Sequence, residues 1–125
     1  MKAPLIAISR HRLATDGQGV TTLVAFHGCP LRCRYCINSQ CTAADGVWQW
    51  MDAQEMLREV AVDDLYFQAT GGGVTFGGGE PLLHSRFCAE LLKIMKGEGI
   101  HCAVDTCGNV PWSAFETVLP HTDMF

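Results

Sequence analysis

Three cysteines stand close together in the stretch CPLRCRYC at residues 29–36, with three residues between Cys29 and Cys33 and two between Cys33 and Cys36. A loop this short cannot send its sulfurs to separate sites, and an odd number of thiols does not pair fully into disulfides. Cysteine thiolates hold iron–sulfur clusters, and a cubane cluster takes four ligands. Three local cysteines would therefore bind three irons and leave the fourth iron open to another ligand.

A structural zinc site is the alternative for the same cysteines, with His27 or Cys41 as the fourth ligand. Zinc knots usually combine two paired motifs, and the chain contains no second Cys-x2-Cys pair. The spacing therefore favours a cluster over zinc and leaves the zinc site open as the second interpretation.

Two further motifs carry groups that could contact a ligand. Gly78-Gly79-Glu80 ends the glycine-rich run at residues 71–80, and glycines let a backbone approach a ligand closely. A carboxylate or a carbonyl there could accept a hydrogen bond from an ammonium, whereas a phosphate loop is excluded because no Gly-Lys-Ser/Thr follows. Asp105 is the weaker candidate, since an aspartate after a strand often only caps a turn.

Composition limits the class of protein. The 125 residues, 48% of them hydrophobic, suffice for one domain with a real core. The net charge of −4 gives no electrostatic reason to expect nucleic acid or an anionic membrane as a partner. We find no signal peptide and no apolar run long enough to span a membrane. Seven cysteines, an odd number with three in one loop, fit a reducing compartment and predict a cytoplasmic protein.

The motifs sit between alternating strands and helices. Apolar and β-branched runs predict strands at residues 5–8, 21–26, 74–76 and 100–106, with a further strand beginning at 123–125. Helices are expected after an Asp52 N-cap, after a Ser85 cap, and from Pro111 to Pro120. This alternation predicts an α/β fold of parallel β/α units. We expect one domain over residues 1–125, in which residues 1–20 form an extension leading into the first barrel strand.

All three motifs fall at the carboxyl ends of consecutive predicted strands, where β/α barrels place their ligand sites. The cysteine motif, with Tyr35 before its last cysteine, resembles the cluster loop of radical S-adenosylmethionine (SAM) enzymes. Asn38 extends the match to the activating enzymes of glycyl radical enzymes, and the run at residues 71–81 resembles their version of the glycine motif. The resemblance implies the N-terminal half of a partial (β/α)6 barrel, because the chain supplies three units and the start of a fourth.

That resemblance also implies the cofactors and the site. The family binds a [4Fe-4S] cluster through three cysteines, which correspond to Cys29, Cys33 and Cys36, and its open iron chelates SAM. No catalytic residue is expected beyond the ligands of these two cofactors. The positions that the resemblance assigns to SAM binding are Tyr35, Ile37, Gly78, Gly79, Glu80 and Asp105.

The implied reaction is reductive cleavage of SAM to a 5′-deoxyadenosyl radical, which abstracts hydrogen from a glycine of a partner glycyl radical enzyme. A flavodoxin- or ferredoxin-type protein would supply the electron. Some family members carry extra clusters in an insert between the two main motifs, but that interval contains only Cys41, so we predict no second cluster. Gln18 and Thr21 depart from the family, which usually has proline and a basic residue at these positions.

Two alternatives stay open: a radical SAM enzyme that acts on another substrate, and a metal-binding module without catalysis. The short length also leaves open whether the chain is active alone.

Overall fold

A computed structural model describes all 125 residues, Met1–Phe125. One five-stranded sheet carries four helices, and three short 3₁₀ helices lie in the connections. The strands are β1 (Lys2–Leu13), β2 (Val20–Phe26), β3 (Gln49–Asp52), β4 (Gly73–Gly78) and β5 (His101–Val104). The α-helices are α1 (Ala53–Ala61), α2 (Asp64–Thr70), α3 (Ser85–Gly97) and α4 (Trp112–Val118), and the 3₁₀ helices are Ser39–Cys41, Pro81–His84 and Leu119–His121.

The sheet has the order β3-β1-β2-β4-β5, and its core is parallel. Strands β2, β4 and β5 pair in parallel, which confirms the predicted β/α units. The expectation of parallel strands does not hold for β1 and β3. Strand β1 pairs antiparallel with β2, and β3 pairs antiparallel with β1. Met124 continues the parallel series through a single bridge to Ala103, where a fourth parallel strand was expected to begin.

Local sequence explains most of the element boundaries. Asp52 caps α1 in a capping box, since its carboxylate accepts from the Glu55 amide at 2.8 Å and the Glu55 carboxylate accepts from the Asp52 amide at 2.8 Å. Gly71 ends α2 in the left-handed conformation, at φ 69°. The predicted Ser85 cap is wrong, because Ser85 is the first residue of α3 and His84 occupies the N-cap position.

The main core lies between the helices and one face of the sheet. Phe26, Phe76 and Phe87 are fully buried at its centre, where their rings meet edge to face. A second, smaller cluster of Ile6, Ala25 and Cys41 lies on the opposite face, under the cysteine loop. No helix is both long enough and apolar enough to cross a membrane.

Candidate functional site

The cysteine loop leaves the sheet directly after β2 and is closed at its base. The Gly28 amide donates to the Cys41 carbonyl at 2.7 Å. Nε2 of His27 lies 2.8 Å from the Ala43 carbonyl, so this nitrogen carries the proton and donates. The two contacts bring the ends of the loop together and fix its position at the carboxyl end of the parallel strands.

The three motif cysteines line one cavity of about 350 Å³, together with Cys41 and Gly78. Cys33 and Cys36 are exposed and Cys29 is half-buried. All three thiols belong to one loop, and at least two of them are accessible to a cluster from solvent. The Cys, His, Asp and Glu side chains form no group of three that could hold a single metal ion as they stand. A cubane cluster binds each thiolate at a different iron, and the three motif thiols line one cavity. The donor set therefore fits a cluster.

The two candidate fourth ligands of the alternative zinc site lie close to the motif cysteines. Nε2 of His27 donates to the Ala43 carbonyl, which leaves Nδ1 as the unprotonated nitrogen of this ring. Cys41 is 2% exposed, and burial, reinforced by the nearby Cys36 and Cys29 thiols, raises the pKa of its own thiol. The spacing of the motif cysteines, and not the state of these two residues, is what favours a cluster over zinc.

The Gly78-Gly79 edge is joined to the cysteine loop by hydrogen bonds. The Gly79 amide donates to the Phe26 carbonyl at 2.9 Å, and the Glu80 amide donates to the Gly28 carbonyl at 2.7 Å. Asn38, from the far end of the cysteine loop, donates its side-chain amide to the Gly78 carbonyl at 3.3 Å. The two predicted motifs therefore form one surface.

Both glycines of this edge are required by geometry. Gly78 has φ 88°, and a Cβ placed on it would lie 2.7 Å from the Cβ of Ala25. A Cβ on Gly79 would lie 2.2 Å from the Gly28 carbonyl oxygen, closer than any van der Waals contact allows. The close approach of β4 to the cysteine loop thus depends on the absence of side chains at these two positions.

Glu80 points into the protein and is fully buried. Its carboxylate accepts from the Leu82 amide at 2.9 Å, from the Thr106 hydroxyl at 2.9 Å and from the Cys107 amide at 2.7 Å. Because the chain's own donors occupy both oxygens, the acceptors that this edge offers to a ligand are backbone carbonyls. Glu80 instead ties the end of β4 to the loop after β5.

Asp105 follows β5 directly and is exposed. Its amide donates to the Phe76 carbonyl at 2.8 Å, and its carboxylate lies beside Gly77, where a Cβ would meet the Asp105 Cβ at 3.4 Å. The side chain also lines a second cavity of about 320 Å³ with Thr75 and Asp16. Asp105 is therefore available to a ligand beside the glycine edge.

Tyr35 and Ile37 flank the last cysteine and are almost completely exposed, at 87% and 90%. Neither side chain packs on the sheet, so both are accessible to solvent next to Cys36.

The sequence did not predict that Glu80 joins the end of β4 to the loop after β5, or that His27 closes the base of the cysteine loop. The partner of Glu80 lies 26 residues away along the chain, and a pattern in one sequence does not show contacts at that separation.

Comparison with known proteins gives the family. The pattern of the Radical SAM superfamily matches residues 23–122. A pyruvate formate-lyase-activating enzyme of Clostridium pasteurianum is 43% identical over 109 residues, which are 87% of this chain and 45% of that protein. A (2S)-3-sulfopropanediol dehydratase activating enzyme of Klebsiella oxytoca is 37% identical over 169 aligned positions, 87% of this chain and 53% of that protein. The chain thus spans about half the length of the curated relatives it matches.

A solved structure extends the likeness to the fold. QueE from Escherichia coli superimposes with a TM-score of 0.62 at 18% identity, over 86% of this chain and 54% of that one. Radical SAM superfamily members bind a [4Fe-4S] cluster and SAM. With three thiols around one cavity, a glycine edge bonded to their loop and a family match over residues 23–122, this chain belongs to the radical SAM superfamily.

Proposed function

We propose that this chain supplies the cluster- and SAM-binding part of an activating enzyme for a glycyl radical enzyme. Cys29, Cys33 and Cys36 would hold a [4Fe-4S] cluster in the cavity that they line. The observation that carries the proposal is the direct bonding of the cysteine loop to the glycine edge, through the Glu80 amide and the Gly28 carbonyl at 2.7 Å. This contact places three thiols and the glycine edge on one surface.

Each predicted residue has a role in this proposal. The carbonyls of Gly78 and Gly79 would accept from the SAM ammonium, and Glu80 would hold their strand in place from behind. The exposed carboxylate of Asp105 and the exposed Tyr35 and Ile37 would complete the SAM site from two sides. When bound and reduced, the cluster supplies the electron that cleaves SAM to a 5′-deoxyadenosyl radical.

The partner would be a glycyl radical enzyme, from which the radical takes a hydrogen at a glycine Cα. A flavodoxin- or ferredoxin-type protein would donate the electron. We also propose a cytoplasmic location, because all seven cysteines are free and a reducing compartment keeps thiols in that state. One domain would contain residues 1–125, with residues 1–20 leading into the first parallel strand.

Anaerobic reconstitution with iron and sulfide tests the cluster. We expect about four irons and four sulfides per chain, and 5′-deoxyadenosine after reduction in the presence of SAM. Cys33→Ser should lose most of the bound iron, whereas Cys107→Ser, an exposed cysteine outside the motif, should retain it. Zinc without sulfide in anaerobically purified protein would overturn the proposal in favour of a metal-binding module.

A candidate partner enzyme tests the substrate. We expect the electron paramagnetic resonance (EPR) doublet of a glycyl radical after incubation with SAM, reductant and a glycyl radical enzyme. Formation of 5′-deoxyadenosine without that doublet, across partners from the same organism, would point to a radical SAM enzyme with another substrate.

A further inference from the structure

The cysteine loop differs in charge from the rest of the molecule. The chain has 13 acidic and 9 basic residues and a net charge of −4. Residues 27–44 nevertheless contain Arg32 and Arg34 and no aspartate or glutamate. The loop is therefore a local positive region on an acidic protein.

Both arginines present their charge to solvent. Arg32 and Arg34 are exposed, and neither belongs to any ion pair of the chain. By contrast, Arg10 pairs with Asp63 and Arg12 pairs with Asp16. An unpaired guanidinium is free to bind an external carboxylate in a bidentate manner.

The arginines also lie beside the thiols. Arg32 and Arg34 line the same cavity as the three motif cysteines, and Cys33 and Cys36, which alternate with them along the chain, are exposed. A protein docked on this face would therefore approach the cluster ligands closely.

We propose that Arg32 and Arg34 form the docking face for the electron donor, an acidic one-electron carrier of the flavin or iron–sulfur class. The proposal rests on the proposed function, because it needs a cluster at the cysteines. Charge complementarity selects an acidic partner and speeds its encounter. A small, transient interface suffices, since electron-transfer complexes typically bury less than about 1,200 Å².

The transfer itself is a single electron. The reduced carrier would give up one electron to the cluster that Cys29, Cys33 and Cys36 would hold, and no covalent bond would form or break in the step. The arginines act on the encounter and not on the chemistry, so a reductant that needs no docking should bypass them. The experiment therefore compares a reductant that docks with one that does not.

The double variant Arg32→Glu/Arg34→Glu reverses the charge of the face. Its matched control is Arg58→Glu/Lys93→Glu, which makes the same change in net charge at exposed positions of α1 and α3. With reduced flavodoxin as the probe, stopped-flow absorbance measures cluster reduction, and calorimetry measures flavodoxin binding. Photoreduced 5-deazariboflavin, which is uncharged, serves as the reductant that does not dock.

We expect the face variant to slow reduction by flavodoxin at least about tenfold at low ionic strength and to abolish detectable binding. The control variant should change the rate less than about twofold. Added salt should slow the wild type toward the rate of the face variant, because screening removes the attraction. Reduction by 5-deazariboflavin, expressed per bound cluster, should fall much less in the face variant than reduction by flavodoxin does, because this reductant does not dock. Arg32→Lys/Arg34→Lys should keep most of the wild-type rate.

Equal losses in the face and control variants would overturn the proposal, as would an unchanged flavodoxin rate in the face variant. Normal SAM cleavage with both reductants but no glycyl radical would assign the face to the glycyl radical enzyme instead, and would also overturn it. Failure of the wild type to bind iron and sulfide would be a failure of the proposed function and is seen before any variant is made.

Discussion

A buried carboxylate lies at each end of the parallel strands, and the two carboxylates have different hydrogen-bond partners. At the carboxyl end, Glu80 is held by uncharged donors, the amides of Leu82 and Cys107 and the hydroxyl of Thr106. At the amino end, Asp63 is held by a bidentate Arg10, at 2.8 Å for both bonds, and by His11. Its side chain is only 1% exposed.

The difference indicates that the amino end stabilises the fold and the carboxyl end presents the candidate site. At the amino end, Asp63 pairs with Arg10 and His11, which stabilises the junction of β1 and α2. The carboxyl end keeps Cys33, Cys36, Arg32 and Arg34 exposed, and uses a buried acid only to hold two loops together. Barrel folds commonly separate stability and chemistry between their two ends in this way. Variants at each end should therefore fail differently.

The largest combined effect is expected for Glu80→Ala. Removing the carboxylate leaves the Leu82 and Cys107 amides and the Thr106 hydroxyl without their acceptor, which should cost about 3 kcal/mol of the free energy of unfolding. SAM binding should weaken as well, because the glycine edge loses its support. Chemical denaturation of the cluster-free protein and SAM binding by the reconstituted protein measure the two effects.

Glu80→Gln sharpens this test, since it keeps the size and one acceptor oxygen but points an amide donor at an amide donor. Its free energy of unfolding and its affinity for SAM should lie between those of wild type and Glu80→Ala. Glu90→Gln, an exposed residue of α3, is the control for losing one negative charge. If Glu80→Ala lowered stability but left SAM binding unchanged, Glu80 would have no part in positioning the site.

Asp63→Asn should give the second largest effect, on stability alone. The asparagine removes the charge that pairs with Arg10, but Arg10 is partly exposed and regains water, so the cost should be about 2 kcal/mol and less than that of a fully buried pair. Iron content per folded molecule should stay at the wild-type level. A loss of iron in the soluble, folded variant would contradict the separation of the two ends.

The sequence allowed the local features of both the fold and the site to be predicted. The capping box of Asp52 and Glu55 and the spacing of the three cysteines depend on residues a few positions apart, so the pattern contains the information. The long β1 was predicted only as residues 5–8, because its second half is polar and is held by pairing with β2.

The two buried acids were beyond the reach of sequence patterns. Arg10 and Asp63 are 53 residues apart, and Glu80 meets Thr106 across two strands. The direction of a carboxylate is fixed by the tertiary packing of its neighbours, and neither periodicity nor local spacing reports that packing. The glycines at 78 and 79 were predicted to permit close contact, but which backbone they contact also required the fold.

A smaller effect is expected from pH at the amino end. The hydrogen bond from Arg10 lowers the pKa of Asp63 against the opposing effect of burial, so the folded state holds this group ionised at a pH where the unfolded chain binds a proton. Its contribution is full above the unfolded pKa of about 3.9 and is lost as pH falls through the lower folded value. The stability gap between wild type and Asp63→Asn should therefore shrink below about pH 4. A gap that stays constant from pH 6 to pH 3 would show that the charge of Asp63 contributes nothing.

The smallest effect should come from Asp52, the N-cap of α1, which contacts neither Glu80 nor Asp63. Asp52→Ala removes the acceptor of the Glu55 amide, and the loss of one half-buried N-cap should lower Tm by roughly 4 °C. Asp52→Ser keeps an acceptor without the charge and should recover most of that loss, whereas Glu59→Gln on the same helix should change little. Because the cap is local and water can replace it, this variant sets the scale of an ordinary helix defect. A larger loss than that of Asp63→Asn would mean that the buried acid at the amino end is not a principal source of stability.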